Sequence, residues 1–105
     1  MDAVLKDRMQ QLVDRHAVVL FMKGNKAMPQ CGFSAAAVEA LRKAGTDFET
    51  VDVLRDPEVR TGMKEFSNWP TFPQCYIKGK FVGGSDILKQ MLDSGELKKL
   101  VAPAP

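Results

Sequence analysis

The run Ala17-Val18-Val19-Leu20-Phe21-Met22 constrains the fold more than any other feature, because no polar residue interrupts it. A strand with one face in water alternates apolar and polar side chains. A short unbroken apolar run rich in β-branched residues instead suits a strand covered on both faces. Residues 17–22 are therefore read as the central strand of a sheet with helices on each side. The run is far shorter than the ~20 residues that span a membrane, so no membrane segment is expected.

The flanking patterns supply the other elements. Val4, Leu5, Met9, Leu12 and Val13 recur at helical spacing and predict a first helix over 2–15. A polar loop with Gly24, Asn25 and Pro29 fills 23–30. Phe33, Val38, Leu41 and Ala44 mark a second helix, stopped by Gly45. Alternation predicts a strand over 48–53, and Asp56-Pro57 opens a helix carried by Val59, Met63 and Phe66 to the break at Asn68-Trp69-Pro70. Strands over 74–77 and 80–82 flank a tight Lys78-Gly79 turn. Gly83-Gly84 then opens a helix with Ile87, Leu88, Met91 and Leu92 on one face, and a short helix over 96–101 follows. The order αβαβαββαα makes an α/β chain with a four-stranded mixed sheet and helices on both faces. All 105 residues are read as one domain, frayed at 102–105.

Charge and cysteine content narrow the function classes. A net charge of +2 is too mild for a nucleic-acid surface. Cys31 and Cys75 do not make a disulfide framework, and the lone His16 has no partner at zinc-ligand spacing. No secretory signal is visible at the start, so a reducing, intracellular compartment with individual thiols is expected.

Cys31 falls where the polar loop meets the second helix. The free N–H groups and dipole of a helix start favour an anion, so a thiol there ionises more readily than one buried as a small hydrophobe. Lys23 and Lys26 in the same loop are expected to add positive charge, Gly32 to leave room for a ligand, and Ser34 to face the sulfur. In a Cys-x-x-Cys pair the second thiol resolves a mixed disulfide, whereas in Cys31-Gly32-Phe33-Ser34 a hydroxyl stands there. The thiol is left with an external thiol or with metal ligation.

On these four residues, and on the segments 22–34, 56–60 and 67–87, the chain resembles a monothiol glutaredoxin of the Cys-Gly-Phe-Ser class, single-domain type, over nearly its whole length. The resemblance implies a thioredoxin-like fold, glutathione binding, and a [2Fe-2S] cluster shared between two subunits through Cys31. Pro73 then corresponds to a cis proline facing the thiol, which turns the Phe72 backbone toward glutathione's cysteinyl unit. Lys23 and Arg60 correspond to residues that hold the glycyl carboxylate, one as a point charge and one as a planar fork; the lesser alternative for Arg60 is a solvated surface charge. The turn Gly83-Gly84-Ser85-Asp86 leads into a helix start that suits the γ-glutamyl carboxylate, with Asp86 placed for the ammonium group and for the helix dipole. Trp69 is a marker of the class; it would shield a cluster, contact a partner or close the core.

Two positions depart from the family. Many members carry cysteine where this chain has Ser85, which removes a resolving thiol. Cys75 stands where an aliphatic residue is usual, and by strand parity it points inward with Ile77 as a buried hydrophobe.

Three function classes follow. The chain is a [2Fe-2S] carrier, a glutathione-dependent reductase working through Cys31 alone, or an adaptor for a partner such as a BolA-type protein. The resemblance and the five-residue extension at 25–29 favour the carrier, with weak reductase turnover at most. Expected with it are a homodimer when cluster-bound and a monomer when apo, with small, polar contacts beyond the cluster. Apo iron–sulfur proteins are the expected acceptors. A bacterial cytoplasm, or an organelle matrix or stroma for a processed form, is the expected setting.

Overall fold

All five side chains of β1, Val18–Met22, are buried in the computed structural model, which describes residues 1–103. Alternate residues of this strand enter two separate cores. Val18, Leu20 and Met22 pack with Ala37, Val38 and Leu41 of α2 (Gly32–Lys43), with Leu88 of α4 (Ser85–Ser94) and with Leu97 of α5 (Glu96–Val101). Val19 and Phe21 pack with Met9 and Val13 of α1 (Ala3–Asp14) and with Val59 and Met63 of α3 (Pro57–Ser67). Full burial of such a side chain contributes about 1.5–3 kcal/mol, so each face has its own reason to hold its helices.

The sheet order is β2-β1-β3-β4, with β2 at Glu49–Asp52, β3 at Gln74–Ile77 and β4 at Lys80–Gly83. β1 runs parallel to β2 and antiparallel to β3, and β3 pairs antiparallel with β4. The hairpin turns on Lys78 and Gly79, both at positive φ (52° and 80°), as a two-residue turn of this hand requires. Asp56 caps α3 by accepting the Val59 N–H and also pairs with Arg8 at 2.7 Å, which ties α3 to α1. No helix of the described residues is long and apolar enough to cross a membrane.

The element order read from the sequence stands, with two corrections. The second strand is shorter than 48–53, since Phe48 and Val53 are buried but lie outside the ladder. Phe33 and Ile87, read as core-facing, are 65% and 37% exposed. Both sit in the first turns of their helices, where they border a cleft. Of the tail expected to fray, Ala102 accepts a hydrogen bond from Lys78 Nζ at 2.8 Å, and residues 104 and 105 lie outside the described residues.

Candidate active site around Cys31

Cys31 is the N-cap residue of α2, in extended backbone conformation, and its side chain is half-buried. Its pKa lies below the ordinary thiol value. The backbone N–H of Ser34 is the largest cause; it outweighs the opposing cost of burial, and the Phe33 N–H, the charge of Lys23 and the Ser34 hydroxyl add to it. A helix start thus supplies what a thiolate needs. Ser34 is itself fully buried, and its Oγ accepts the backbone N–H of Lys23 at 3.1 Å. That leaves the hydroxyl proton available to the sulfur.

The loop ahead of Cys31 is fixed by its own polar atoms. Asn25 Oδ1 accepts the N–H groups of Ala27 and Met28, both at 2.9 Å. Asp52 Oδ1 accepts the Gly24 N–H at 3.0 Å, and Gln30 donates its N–H to the Lys23 carbonyl at 2.9 Å. Gly24 is at φ +86°, and a Cβ there would lie 2.5 Å from the Met28 carbonyl oxygen, so only glycine fits. This turn carries Lys26 away from the thiol. Its Nζ donates to the Phe48 carbonyl at 2.6 Å and lies 4.9 Å from the Phe48 ring centroid. The expected contribution of Lys26 to the site is therefore corrected, and Lys23 alone of the two acts on Cys31. Gly32 faces open space, so the room expected for a ligand is present.

Cys31 opens into a cleft of about 430 Å³. Lys23, Arg60, Trp69, Phe72, Pro73, Ser85 and Asp86 all line it, so the residues that the resemblance assigned to ligand binding meet there, while Lys26 does not. The Phe72-Pro73 peptide is cis. Gly84 brings the start of α4 against this segment, and a Cβ on it would come 3.2 Å from the Pro73 carbonyl oxygen. Trp69 rests on Phe81, ring centroids 5.9 Å apart, and stays 41% exposed in the cleft. It therefore closes the aromatic cluster on one side and lines the cleft shared with Cys31 on the other.

Sequence reasoning missed Lys64 and Thr71, which also line the cleft. Lys64 lies one helical turn beyond Arg60, and that i, i+4 spacing was the available signal. Lys23, Arg60 and Lys64 have no carboxylate partner among the described residues, and Asp86 is the only acid in the lining. The cleft suits a ligand with more than one carboxylate and a single ammonium group. Among the described residues, no group of three or more His, Cys, Asp or Glu could hold a metal ion, and Cys31 is the one cysteine with exposed surface. Cys75 is fully buried in the α2 core beside Ile77, as strand parity requires.

Residues 18–82 match the Glutaredoxin family. The chain is 52% identical over 104 residues to "Uncharacterized monothiol glutaredoxin ycf64-like" of Synechocystis, covering 99% of this chain and 97% of that protein. It is 50% identical to Glutaredoxin 3 of Danio rerio over 93 residues, 89% of this chain but only 28% of the longer zebrafish protein. The solution structure of reduced poplar apo GrxS14 superposes with a TM-score of 0.78 at 49% identity, covering 90% of this chain and 87% of the other. The thioredoxin-like architecture expected from the sequence is the architecture of that neighbour.

Proposed function

The chain belongs to the glutaredoxin family, and from that membership we propose that it holds glutathione in the Cys31 cleft and carries a [2Fe-2S] cluster to apo iron–sulfur proteins. Family membership gives glutathione-linked thiol chemistry; the cluster is the finer part of the reading. One observation carries it: the chain has one ionisable, accessible thiol and no second thiol to resolve it. Ser34 and Ser85 present hydroxyls at the places where a second cysteine would serve, and Cys75 has no exposed surface.

In this reading the glycyl carboxylate of glutathione meets Lys23 and Arg60, with Lys64 beside them. Its cysteinyl backbone lies along Phe72 and Pro73. The γ-glutamyl carboxylate takes the free N–H groups at the start of α4, and Asp86 takes the ammonium. A [2Fe-2S] cluster needs four sulfur ligands. Two Cys31 thiolates and two glutathione thiolates provide them, so two chains share the cargo, and a site with one protein ligand per subunit releases it readily.

The lowered Cys31 pKa also supports a second reading, deglutathionylation. The Cys31 thiolate attacks the glutathione sulfur of a mixed disulfide and releases the protein thiol. A second glutathione thiolate then attacks that same sulfur, giving oxidised glutathione and restoring the Cys31 thiolate. Anaerobic reconstitution with iron, sulfide and glutathione separates the readings. A coloured dimer supports the carrier. Colourless protein with steady deglutathionylation turnover would replace it with the reductase, and neither signal would leave an adaptor for a BolA-type partner.

A further inference from the structure

We propose that Gln74 is the positioning residue for the cleft wall opposite Cys31: its buried amide, acting through Trp69 and Thr71, sets where that wall stands. The inference rests on the glutathione reading of the cleft only for its consequence in binding, not for the positioning itself.

Gln74 is the first residue of β3 and has no exposed surface. Its Nε2 donates to the Trp69 carbonyl at 3.0 Å and to the Thr71 carbonyl at 3.2 Å. Both acceptors are carbonyls, so the nitrogen must be the end that faces them. Oε1 has no partner. A buried amide with an unsatisfied oxygen is unfavourable where an apolar side chain of similar volume would fill the space. The compensation lies in the two bonds to the wall.

The wall needs a side chain because, among the described residues, its backbone is held by a backbone partner only at Trp69, whose N–H donates to the Lys64 carbonyl at 3.2 Å. Pro70 and Pro73 lack N–H groups, so two of the five residues 69–73 have nothing to donate to a ladder. No strand includes this segment, and pairing resumes only at Gln74. Gln74 spans Pro70 by bonding the carbonyl on each side of it. The Trp69 peptide is held from its other end as well, since its N–H donates to Ser67 Oγ at 3.1 Å while that hydroxyl donates to the Met63 carbonyl at 2.7 Å. Trp69 and Thr71 both line the cleft, and Phe72 follows directly.

Trp69 is the only tryptophan, so its fluorescence reports this wall without any ligand. Gln74→Met keeps the volume and removes both donors. Its Trp69 emission is expected to shift to longer wavelength, with stronger iodide quenching, and reduced glutathione titrated by calorimetry is expected to bind roughly tenfold more weakly. Gln74→Glu keeps the shape and at most one donor, and should fall between Gln74→Met and the parent. Ile77→Val, a core change on the opposite face of β3, is the control for mere destabilisation: it should lower the melting temperature and leave Trp69 unmoved. Unchanged Trp69 emission and quenching in both Gln74 variants would overturn the proposal, as would a matching Trp69 change in the Ile77 control. Failure of the parent protein to bind glutathione would instead overturn the reading of the cleft, and the ligand-free Trp69 signal would still decide the role of Gln74.

Discussion

Lys23 donates its backbone N–H to the buried hydroxyl of Ser34 at 3.1 Å, joining the end of β1 to the first turn of α2. The same hydroxyl helps hold the Cys31 pKa down, and the Lys23 ammonium acts in the same direction. The residue that stands where a second thiol would resolve a disulfide therefore supports the first thiol. It also fixes the lysine that faces it.

Ser34→Ala tests this coupling. The substitution removes the hydroxyl and leaves the Lys23 N–H without its partner, so the pH profile of Cys31 alkylation by iodoacetamide should move to higher pH. Losing a buried hydrogen-bond partner costs about 1–3 kcal/mol, which denaturant unfolding would register. An unmoved alkylation profile would show that the helix N–H groups act alone.

Cys75 makes an opposite prediction about alkaline stability. Burial pushes its thiol from an ordinary value of 9.0 up to about 12. Between these values the unfolded chain has lost the proton and the folded chain keeps it, so stability falls as pH rises, by about 1.4 kcal/mol per pH unit for each such group. Tyr76, raised from 10.0 to about 12 by burial, adds to the loss. Cys31 has the other sign: its folded pKa is depressed, so its contribution grows as pH rises through that value and is complete above the unfolded one. Cys75→Val should cost less than about 1.5 kcal/mol near neutrality. It should also flatten the alkaline slope by one proton and leave cluster reconstitution intact. Urea unfolding from about pH 8 to about pH 11 measures the slope. An unchanged slope would show that Cys75 ionises in the folded protein, and loss of reconstitution would give it a functional role.

The unpaired cations of the cleft predict a salt-dependent affinity. Arg60→Gln should weaken glutathione binding more than Lys64→Gln, because a guanidinium grips a carboxylate with two parallel bonds and an ammonium acts as a point charge. Each loss should shrink between low salt and about 0.5 M salt as screening removes the Coulomb part. Calorimetric titration at the two ionic strengths checks this. Equal affinities for parent and variants at low salt would place the carboxylate elsewhere.

How much of this was legible in the sequence depended on the kind of signal. The run 17–22 had one reading, and it held because burial on both faces leaves no alternation to misjudge. Cys75 was placed by parity, which survives as long as a strand is straight. Phe33 and Ile87 were misplaced because helical spacing identifies a face but not which turn of that face borders a cleft instead of the core. Lys26 was misplaced because nearness in sequence was taken for nearness to the thiol, while the Asn25 turn directs it to Phe48. Gln74 lies inside the matching segment 67–87, but nothing there marked its role: a buried amide that spans a proline has no period.

The last prediction concerns assembly. On the proposed carrier reading, one chain would give the cluster only Cys31, the remaining sulfur ligands would come from glutathione and a second chain, and the holo form is expected to be a dimer of two chains and two glutathiones. The contacts beyond the cluster were expected to be small and polar. Beside the thiol the cleft also carries exposed apolar side chains, Phe33 at 65% and Trp69 at 41%, which suit shedding water from around a cluster. A few such side chains fall well short of the roughly 1,200 Å² at which stable interfaces begin. The apo protein should therefore sediment as a monomer, and withdrawing either iron or glutathione from the holo form should dissociate it. Cys31→Ser should abolish both colour and dimer, while Trp69→Ala should leave the dimer able to form and hasten bleaching of its cluster in air. Sedimentation of apo and holo samples at equal protein concentration, with absorbance followed in parallel, reads all of these together. A stable apo dimer, or a holo monomer with full cluster absorbance, would show that the ligand count is wrong.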